Sequence, residues 1–268
     1  MKRKIKSAIW NSIQVISTKI KNQYLWESVL NLALRRMNFG NGGDFVKSGE
    51  LFACKYIENA LKHEPKITIF DVGANIGKYS KALSQLFGNQ ATIYSFEPSK
   101  KTFNLFLETT KGCSNIIPNN IGLSDKSYNQ TLFTNSDGSG LASVYQRNLE
   151  HFGIQMDQTE EITLNSLDIF CYEHKIDRIH FLKLDIEGHE LDALKGAKQM
   201  LEDKKIDFIQ FEFGGCNIDA RNYFQDFYYL LKDNYKIYRI LEDGLFEIPA
   251  YKETYEIFLT INYLAIKR

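Results

Sequence analysis

The chain has 268 residues, 44% of them hydrophobic and 25% charged, which suits one substantial globular domain near the upper size for a single core. Its 33 basic and 33 acidic residues cancel, which argues against a function in binding nucleic acid. The four cysteines lie far apart without a Cys-x-x-Cys pair, so we expect reduced thiols, a cytoplasmic protein and no zinc site.

The N-terminal residues 1–20 predict an amphipathic helix. A basic start is followed by apolar residues at helical spacing, namely Ile5, Ala8, Ile9, Ile13, Ile16 and Ile20. Polar residues interrupt this pattern, so it falls short of the about 20 apolar residues that span a bilayer, and it lacks the cleavage site of a signal peptide. We expect the helix to pack on the domain or on a second subunit of a homodimer. The alternative is peripheral contact with the inner face of a membrane.

A second helix is predicted over residues 25–37, and beyond Gly43 strands and helices alternate. Residues 1–43 are therefore expected to form an N-terminal helical segment and residues 44–268 the main domain. The predicted strands cover residues 67–72, 91–96, 115–118, 179–185 and 206–213. With helices between the first three strands and after the last two, this order predicts an α/β fold with a doubly wound, mostly parallel sheet.

The stretch Ile-Phe-Asp-Val-Gly-Ala-Asn-Ile-Gly at residues 69–77 predicts a ligand-binding turn between the first strand and its helix. Asp71 ends the apolar strand, which places its carboxylate at the carboxyl edge of the sheet. Gly73 lets the backbone approach a ligand without a Cβ in the way, and Gly77 lets the next helix pack closely. The spacing differs from the Gly-x-Gly-x-x-Gly of nicotinamide sites, and an acid favours a cationic or hydroxyl-bearing ligand over a pyrophosphate.

A second acid stands at the end of the next strand. Glu97 follows the apolar residues 91–96, about one helix and strand after Asp71. In doubly wound sheets an acid at this place accepts hydrogen bonds from the two hydroxyls of a ribose. Pro98 lacks a backbone donor, so it ends the strand and starts the next helix.

Two later regions are less regular. Residues 131–134 and 161–164 are predicted to be short strands that flank a small, mobile segment at residues 137–143. Glycines at such a place indicate either substrate contacts or a simple hairpin tip. The aromatic-rich residues 235–240 and 255–266 are predicted to form two further strands.

Four ionisable groups crowd the end of the fourth predicted strand, namely Asp185, Glu187, His189 and Glu190. Packing does not explain such a cluster, although Glu190 also suits the positive end of a helix dipole. Glu212 lies near the end of the fifth predicted strand, which is expected to be adjacent to the fourth. We therefore expect this edge of the sheet to carry the chemistry.

Four motifs occur in order along the chain: DVGANIG at residues 71–77, FEP at 96–98, NIGLSD at 120–125 and KLDIEGHE at 183–190. Together they resemble the FkbM family of S-adenosylmethionine-dependent methyltransferases. His189 departs from the pattern, which leads us to expect Phe or Tyr there. The resemblance implies a Rossmann-like class I methyltransferase fold with an antiparallel edge hairpin and S-adenosylmethionine as cofactor. It implies a cofactor site at Asp71, Gly73, Ala74, Asn75, Gly77, Glu97, Pro98, Asn120 and Asp185.

Methyl transfer from a sulfonium to an alcohol needs an acceptor oxygen in line with the methyl group and a base that takes its proton. We expect the catalytic residues to be Asp185, Glu187, His189 and Glu212. A metal site is the competing hypothesis, because Asp185 and Glu212 would stand at the ends of adjacent strands, where carboxylates hold Mg²⁺. Two ligands make a weak site, so the sequence favours catalysis without a metal.

The resemblance implies an S-adenosylmethionine-dependent O-methyltransferase that acts on a hydroxyl of a sugar, a glycan or a small metabolite. Many members of the family are linked to surface glycans, and aromatic rings and acids suit a carbohydrate acceptor. Two alternatives stay open. One is a catalytically silent protein that binds S-adenosylmethionine within an assembly; the other is a nicotinamide-dependent oxidoreductase, for which the glycine spacing is wrong.

Overall fold

The computed structural model describes residue 17 and residues 21–268. Apart from Ser17, the helix predicted over residues 1–20 lies outside the described residues and stays a prediction. Within the described part, no helix combines the length and the apolar character that a membrane crossing requires. The chain divides into two compact units, Met1–Met37 and Asn38–Arg268, and this boundary lies a few residues before the one expected at Gly43.

The smaller unit contains helix α1, Gln23–Arg36, which agrees with the helix predicted over residues 25–37. The side chain of Asn22 caps it by accepting a hydrogen bond from the amide of Leu25 at 3.3 Å. Arg35 and Arg36 in the last turn interact favourably with the negative end of the helix dipole.

The larger unit is built from strands and helices that follow one another along the chain. The helices are α2 (Glu50–Leu61), α3 (Lys78–Phe87), α4 (Lys100–Thr109), α5 (Leu167–Glu173), α6 (Glu190–Lys195), α7 (Lys198–Glu202), α8 (Cys216–Ala220) and α9 (Phe224–Leu231). The strands are β1 (Ile67–Val72), β2 (Ala91–Phe96), β3 (Ile116–Asn119), β4 (Gly122–Ser124), β5 (Tyr128–Thr134), β6 (Gln158–Ser166), β7 (Ile179–Leu184), β8 (Ile206–Phe213), β9 (Tyr235–Leu241), β10 (Gly244–Glu247) and β11 (Ile261–Lys267).

Eight of these strands form the main sheet, in the order β10-β9-β11-β8-β7-β1-β2-β3. The strands from β8 to β3 run parallel, and β11, β9 and β10 extend the sheet antiparallel. The five predicted parallel strands and the doubly wound α/β fold are therefore confirmed. β7 and β8 are buried along their whole length, as expected for central strands of a sheet covered on both faces.

Aromatic side chains form much of the core beside the sheet. The ring of Phe170 from α5 packs edge-on against Phe70 and Phe96, with ring centroids 5.7 and 4.8 Å apart. Phe227 from α9 stacks on Phe211 with centroids 4.8 Å apart. These contacts fix α5 and α9 on β1, β2 and β8, and so make the carboxyl edge of the sheet a rigid platform.

The antiparallel edge differs in part from the prediction. β9 and β11 pair as an edge hairpin requires, but the outermost strand is β10, which was not predicted. The strand predicted over residues 255–266 begins only at Ile261. The reason is Glu256, whose carboxylate accepts hydrogen bonds from the amides of Phe224 and Gln225 at 2.8 and 2.9 Å. Glu256 therefore caps the start of α9, and the chain around it turns toward that helix.

The helix predicted after Gly188 is divided into α6 and α7. Its predicted apolar stripe is buried as expected: Leu191, Leu194, Ala197 and Leu201. The division falls at Gly196, where the backbone packs so closely on β4 that a Cβ would lie 1.9 Å from the carbonyl oxygen of Ser124. The helix expected after Asp219 is α9, which begins at Phe224.

A second sheet of three strands lies in the insertion between β3 and β7, in the order β4-β6-β5. β5 and β6 pair antiparallel and contain the short strands predicted at residues 131–134 and 161–164. Four apolar side chains of this sheet are buried and line the cavity described below: Leu123, Leu132, Ile162 and Leu164.

Replacing Gly196 by alanine is expected to destabilise the fold. The φ angle of Gly196 is −73°, so the backbone accommodates alanine and the new methyl group clashes chiefly with the carbonyl oxygen of Ser124. Overpacking of this kind typically costs about 1–3 kcal/mol, measurable as a lower free energy of unfolding in urea. Gly244→Ala is the matched control, since a Cβ there meets no atom within 4 Å. Equal stability of the two variants would contradict the close approach.

Candidate active site

A cavity of about 770 Å³ lies at the carboxyl edge of the main sheet, over the ends of β2, β1, β7 and β8. Following the strand order, its polar lining runs from Glu97 after β2, through Asn75 after β1 and Asp185 after β7, to Glu212 in β8. Neighbouring strands are about 4.8 Å apart, so the cavity extends over roughly 15 Å. We call the side around Glu97 the cofactor end and the side around Glu212 the acid end.

The turn after β1 forms the floor of the cofactor end. The amides of Gly73 and Ala74 donate to the carbonyl oxygen of Phe96 at 3.0 and 2.9 Å, which joins the ends of β1 and β2. Gly73 has a φ of 79°, and a Cβ there would lie 1.8 Å from the carbonyl oxygen of Asp185. Only glycine fits this crossing of the two strand ends.

Glu97 holds that turn in place with its carboxylate. One oxygen accepts from the amide of Asn75 at 3.0 Å and the other from the amide of Ser99 at 2.9 Å. Burial raises the pKa of Glu97 to about 7, against the opposing effect of the two amides. A carboxylate has about four acceptor positions, so two remain for the hydroxyls of a ribose.

The nine predicted cofactor residues divide into two groups. Five line the cavity: Gly73, Asn75, Glu97, Pro98 and Asp185. The other four, Asp71, Ala74, Gly77 and Asn120, are not part of that lining. Their positions indicate support: the Asn120 side chain donates to the carbonyl oxygens of Glu97 and Pro98 at 2.9 and 3.0 Å, and Gly77 packs against Phe106 and Thr110 of the α4 region.

Asp71 is fully buried and faces Lys183 below the cavity. The Lys183 ammonium lies 3.5 Å from Asp71 Oδ1 and 3.1 Å from Asp185 Oδ2, and Ser80 donates to the other oxygen of Asp71. Burial lowers the pKa of Lys183, but Asp185, Asp71 and Glu50 together raise it by more, so the ammonium stays charged. Lys183 begins the KLDIEGHE motif, but it was not predicted as a site residue. A lysine in a mostly apolar strand was the signal for it.

A buried polar layer continues from Lys183 toward β11. Gln210 is its centre, since its amide donates to Glu50 at 3.0 Å and to Asn262 at 3.2 Å and its oxygen accepts from Tyr79 at 3.1 Å. Burial raises the pKa of Glu50 from its ordinary 4.5 to about 7, although Lys183 opposes the shift.

The acid end contains three carboxylates that line the cavity, and we call Asp185, Glu187 and Glu212 the acid triad. Glu187 has a positive φ of 52°, and its carbonyl oxygen accepts from the hydroxyl of Ser143 at 2.8 Å. Its carboxylate pairs with Arg147 at 2.5 Å. Burial and the charge of Asp185 raise the pKa of Glu187 to about 8, and Arg147 opposes them.

Glu212 is 8% exposed, and within the described part of the chain its carboxylate has neither a hydrogen bond nor an ion pair. Burial, followed by the charges of Asp185 and Glu187, raises its pKa well above the ordinary value. The thiol of Cys216 is close by: one ligand atom each from Glu187, Glu212 and Cys216 lies within 4.8 Å of the others. Arg147 and Cys216 were not predicted, because each stands outside the recognised motifs.

His189 and Glu190 are largely occupied by the fold. His189 Nε2 lies 2.9 Å from the hydroxyl of Ser124, and Nδ1 lies 3.1 Å from that of Tyr145. Burial lowers the pKa of His189, so the ring is neutral. Glu190 accepts from the amides of Ile186 and Gly188 and holds the turn itself. A catalytic role for His189 stays a prediction.

The segment 137–143 closes the cavity from the side of the small sheet. Its residues from Ser139 to Ser143 line the cavity. Asn75 donates to the carbonyl oxygen of Ser139 at 3.2 Å, so the segment contacts the turn after β1 as well as Glu187. This position suits the substrate contacts expected from the sequence, which stay a prediction.

The chain was compared with known families and proteins. The family described as "Methyltransferase FkbM domain" matches residues 71–246. The hexuronic acid methyltransferase AglP of Haloferax volcanii is 27% identical over 147 residues, covering 54% of this chain and 56% of that protein. The 2-O-methyltransferase NoeI of Sinorhizobium fredii is 24% identical over 164 residues, with coverages of 58% and 66%. The chain thus spans less than two thirds of either relative.

Among solved structures, the chain is similar to Aeropyrum pernix fibrillarin in complex with S-adenosyl-L-methionine. The TM-score is 0.43 at 12% identity, over 82% of this chain and 76% of that one.

The raised pKa of Glu50 predicts a pH-dependent stability. Because the folded state binds the Glu50 proton more tightly than the unfolded state, the stabilisation is complete below pH 4.5 and is lost as the pH rises through about 7. We expect the free energy of unfolding of the wild type to fall across this window by roughly 2–3 kcal/mol relative to Glu50→Gln. Urea unfolding at several pH values measures the difference, with the exposed Glu202→Gln as control. If the free energy of unfolding changed with pH in the same way in the wild type and in Glu50→Gln, Glu50 would be shown to stay charged beside Lys183.

Proposed function

The chain belongs to the FkbM methyltransferase family, and on that premise we propose that it transfers a methyl group from S-adenosylmethionine to a hydroxyl of a sugar or glycan. The observation that carries this proposal is the arrangement of the cavity. A ribose-type acid at the cofactor end and a group of carboxylates at the acid end line one cavity. Methyl transfer requires the methyl donor and the acceptor alcohol to bind next to each other.

S-adenosylmethionine is the cofactor, and the residues of the cofactor end fit it. Glu97 keeps two acceptor positions for the ribose hydroxyls, and the turn from Gly73 to Asn75 receives the amino-acid part. Asp185 stands between this turn and the acid end, where its charge favours a cation. When bound, the cofactor supplies an electrophilic methyl group on a sulfonium that leaves as a neutral thioether.

The acid triad serves the acceptor. With S-adenosylmethionine held at the cofactor end, a carboxylate of the triad would take the proton of the acceptor hydroxyl as its oxygen receives the methyl group. Arg147 balances the charge of Glu187 and keeps its side chain directed into the cavity. Glu212, the most buried member of the triad at 8% exposure, is the one best shielded from water that would compete for its carboxylate.

A carbohydrate acceptor fits the remaining lining. Phe152, which is 70% exposed, and Phe258 line the cavity and offer ring faces for stacking on a sugar. The names of the two relatives, a hexuronic acid methyltransferase and a 2-O-methyltransferase, support a sugar hydroxyl as the acceptor.

The first functional prediction concerns the cofactor. Calorimetry should show binding of S-adenosylhomocysteine and little binding of NAD, whereas comparable affinity for NAD would overturn the assignment. Glu97→Ala removes charge-assisted hydrogen bonds worth roughly 1.5–3 kcal/mol each, so the dissociation constant should rise at least about tenfold. Glu202→Ala, at the surface, serves as the control. An unchanged constant in a folded Glu97→Ala protein would place the ribose elsewhere.

The second prediction concerns the acid triad. Once an acceptor is found in a panel of uronic acids and neutral sugars, Glu187→Gln and Glu212→Gln should lower kcat by about 10² to 10⁴ with little change in S-adenosylhomocysteine affinity. Asp185→Asn should impair both, because Asp185 also pairs with Lys183. His189→Phe should lower kcat less than the two glutamine variants do. Wild-type turnover in both glutamine variants would move the base outside the triad, and binding without transfer to any acceptor would favour a catalytically silent protein.

A further inference from the structure

Glu187, Glu212 and Cys216 come together at the acid end from three different elements. Glu187 stands on the turn after β7, Glu212 near the end of β8 and Cys216 at the start of α8. Their ligand atoms lie within 4.8 Å of one another, and all three residues line the cavity. A metal ion with one sulfur and two oxygen ligands has bonds of about 2.3 and 2.1 Å, and in tetrahedral geometry two such ligand atoms lie about 3.6 Å apart. Small side-chain movements bring the three atoms onto one ion.

Glu212 points independently to a ligand. It is more than nine-tenths buried, faces the cavity and, within residues 21–268, has no hydrogen-bond or ion-pair partner. A buried carboxylate in this state is costly unless a cation or a proton accompanies it. Arg147 is the cationic residue of the described cavity lining, and it is engaged with Glu187 and Asp219. Lys183 is engaged with Asp71 and Asp185.

The surrounding backbone is fixed in a way that keeps the three groups together. A Cβ on Gly188 would lie 2.9 Å from the carbonyl oxygen of Cys216, so the turn after β7 packs directly on the start of α8. Asn222 donates to the carbonyl oxygen of Gly188 at 2.9 Å and fastens the same contact. Arg147 binds one oxygen of Glu187 and leaves the other available, which is how outer groups orient metal-binding carboxylates.

We propose that Glu187, Glu212 and Cys216 bind a divalent transition-metal ion at the acid end of the cavity. The sulfur ligand selects a borderline metal such as Zn²⁺, because Mg²⁺ takes oxygen ligands in octahedral geometry. Three protein ligands leave an open position that faces the cavity, as in zinc sites that bind substrate. Because this site combines one cysteine with two glutamates, the absence of a Cys-x-x-Cys pair in the sequence did not reveal it.

The role of the ion rests on the proposed function. An acceptor hydroxyl in the open position becomes more acidic through coordination, and its proton passes to Asp185, the member of the acid triad that is not a ligand. Metal binding itself requires neither the cofactor nor an acceptor, so its failure and the failure of methyl transfer are distinguishable.

The test uses the full chain, freed of metal with a chelator and titrated with Co²⁺ in the absence of other ligands. We expect one Co²⁺ per chain and a thiolate-to-cobalt charge-transfer absorption. Cys216→Ser and Cys216→Ala should abolish that absorption, and Glu212→Gln should weaken binding by about tenfold or more. Cys113→Ser and Glu202→Gln, outside the cavity, should match the wild type.

Three results would overturn the site. They are an absent charge-transfer absorption in the wild type, an absorption that persists in both Cys216 variants, or equal Co²⁺ affinity in Glu212→Gln and Glu202→Gln. Binding of S-adenosylhomocysteine by each variant confirms that it is folded. Binding of Mg²⁺ that is insensitive to Cys216→Ser, without a cobalt signal, would also reject the three-ligand site.

Discussion

The ammonium of Lys183 holds together the two strand ends on which the cavity is built. It lies between Asp71 at the end of β1 and Asp185 after β7, both within 3.5 Å. Asp71 and the ammonium are buried, and neither charge is stable there alone. Because β1 and β7 are neighbours, this pairing fixes the place where the turn after β1 passes beneath Asp185. The cofactor turn and the acid end therefore share one electrostatic foundation.

The same arrangement explains why the two ends of the cavity differ chemically. At the cofactor end, the carboxylate of Glu97 is stabilised by two backbone amides and remains available for hydrogen bonding. At the acid end, Asp185, Glu187 and Glu212 crowd one another, with Arg147 as the cation of the described lining. The first environment suits a neutral diol, and the second attracts positive charge or a proton.

The strand ends were predictable because they follow from local chemistry. Asp71 and Glu97 each end an apolar run, and parallel strands bring such ends to one edge, so the motif positions and the doubly wound sheet followed from the residues and the family resemblance. Long-range partners were not predictable. Arg147 and Cys216 reach the site through packing of an irregular insertion and a short helix, which no periodicity encodes. The late start of the last strand was missed for a similar reason, since Glu256 caps a helix distant in sequence.

The small sheet is fastened to the main domain on one side of the cavity. Ser124 at the end of β4 is held by the ring of His189 and by the backbone contact with Gly196, so this side is fastened to the main domain at two points. Phe152, which also lines the cavity, presents an exposed ring from a short helical turn. In the proposed reaction, this side of the lining is where the part of an acceptor beyond its reacting sugar would meet solvent.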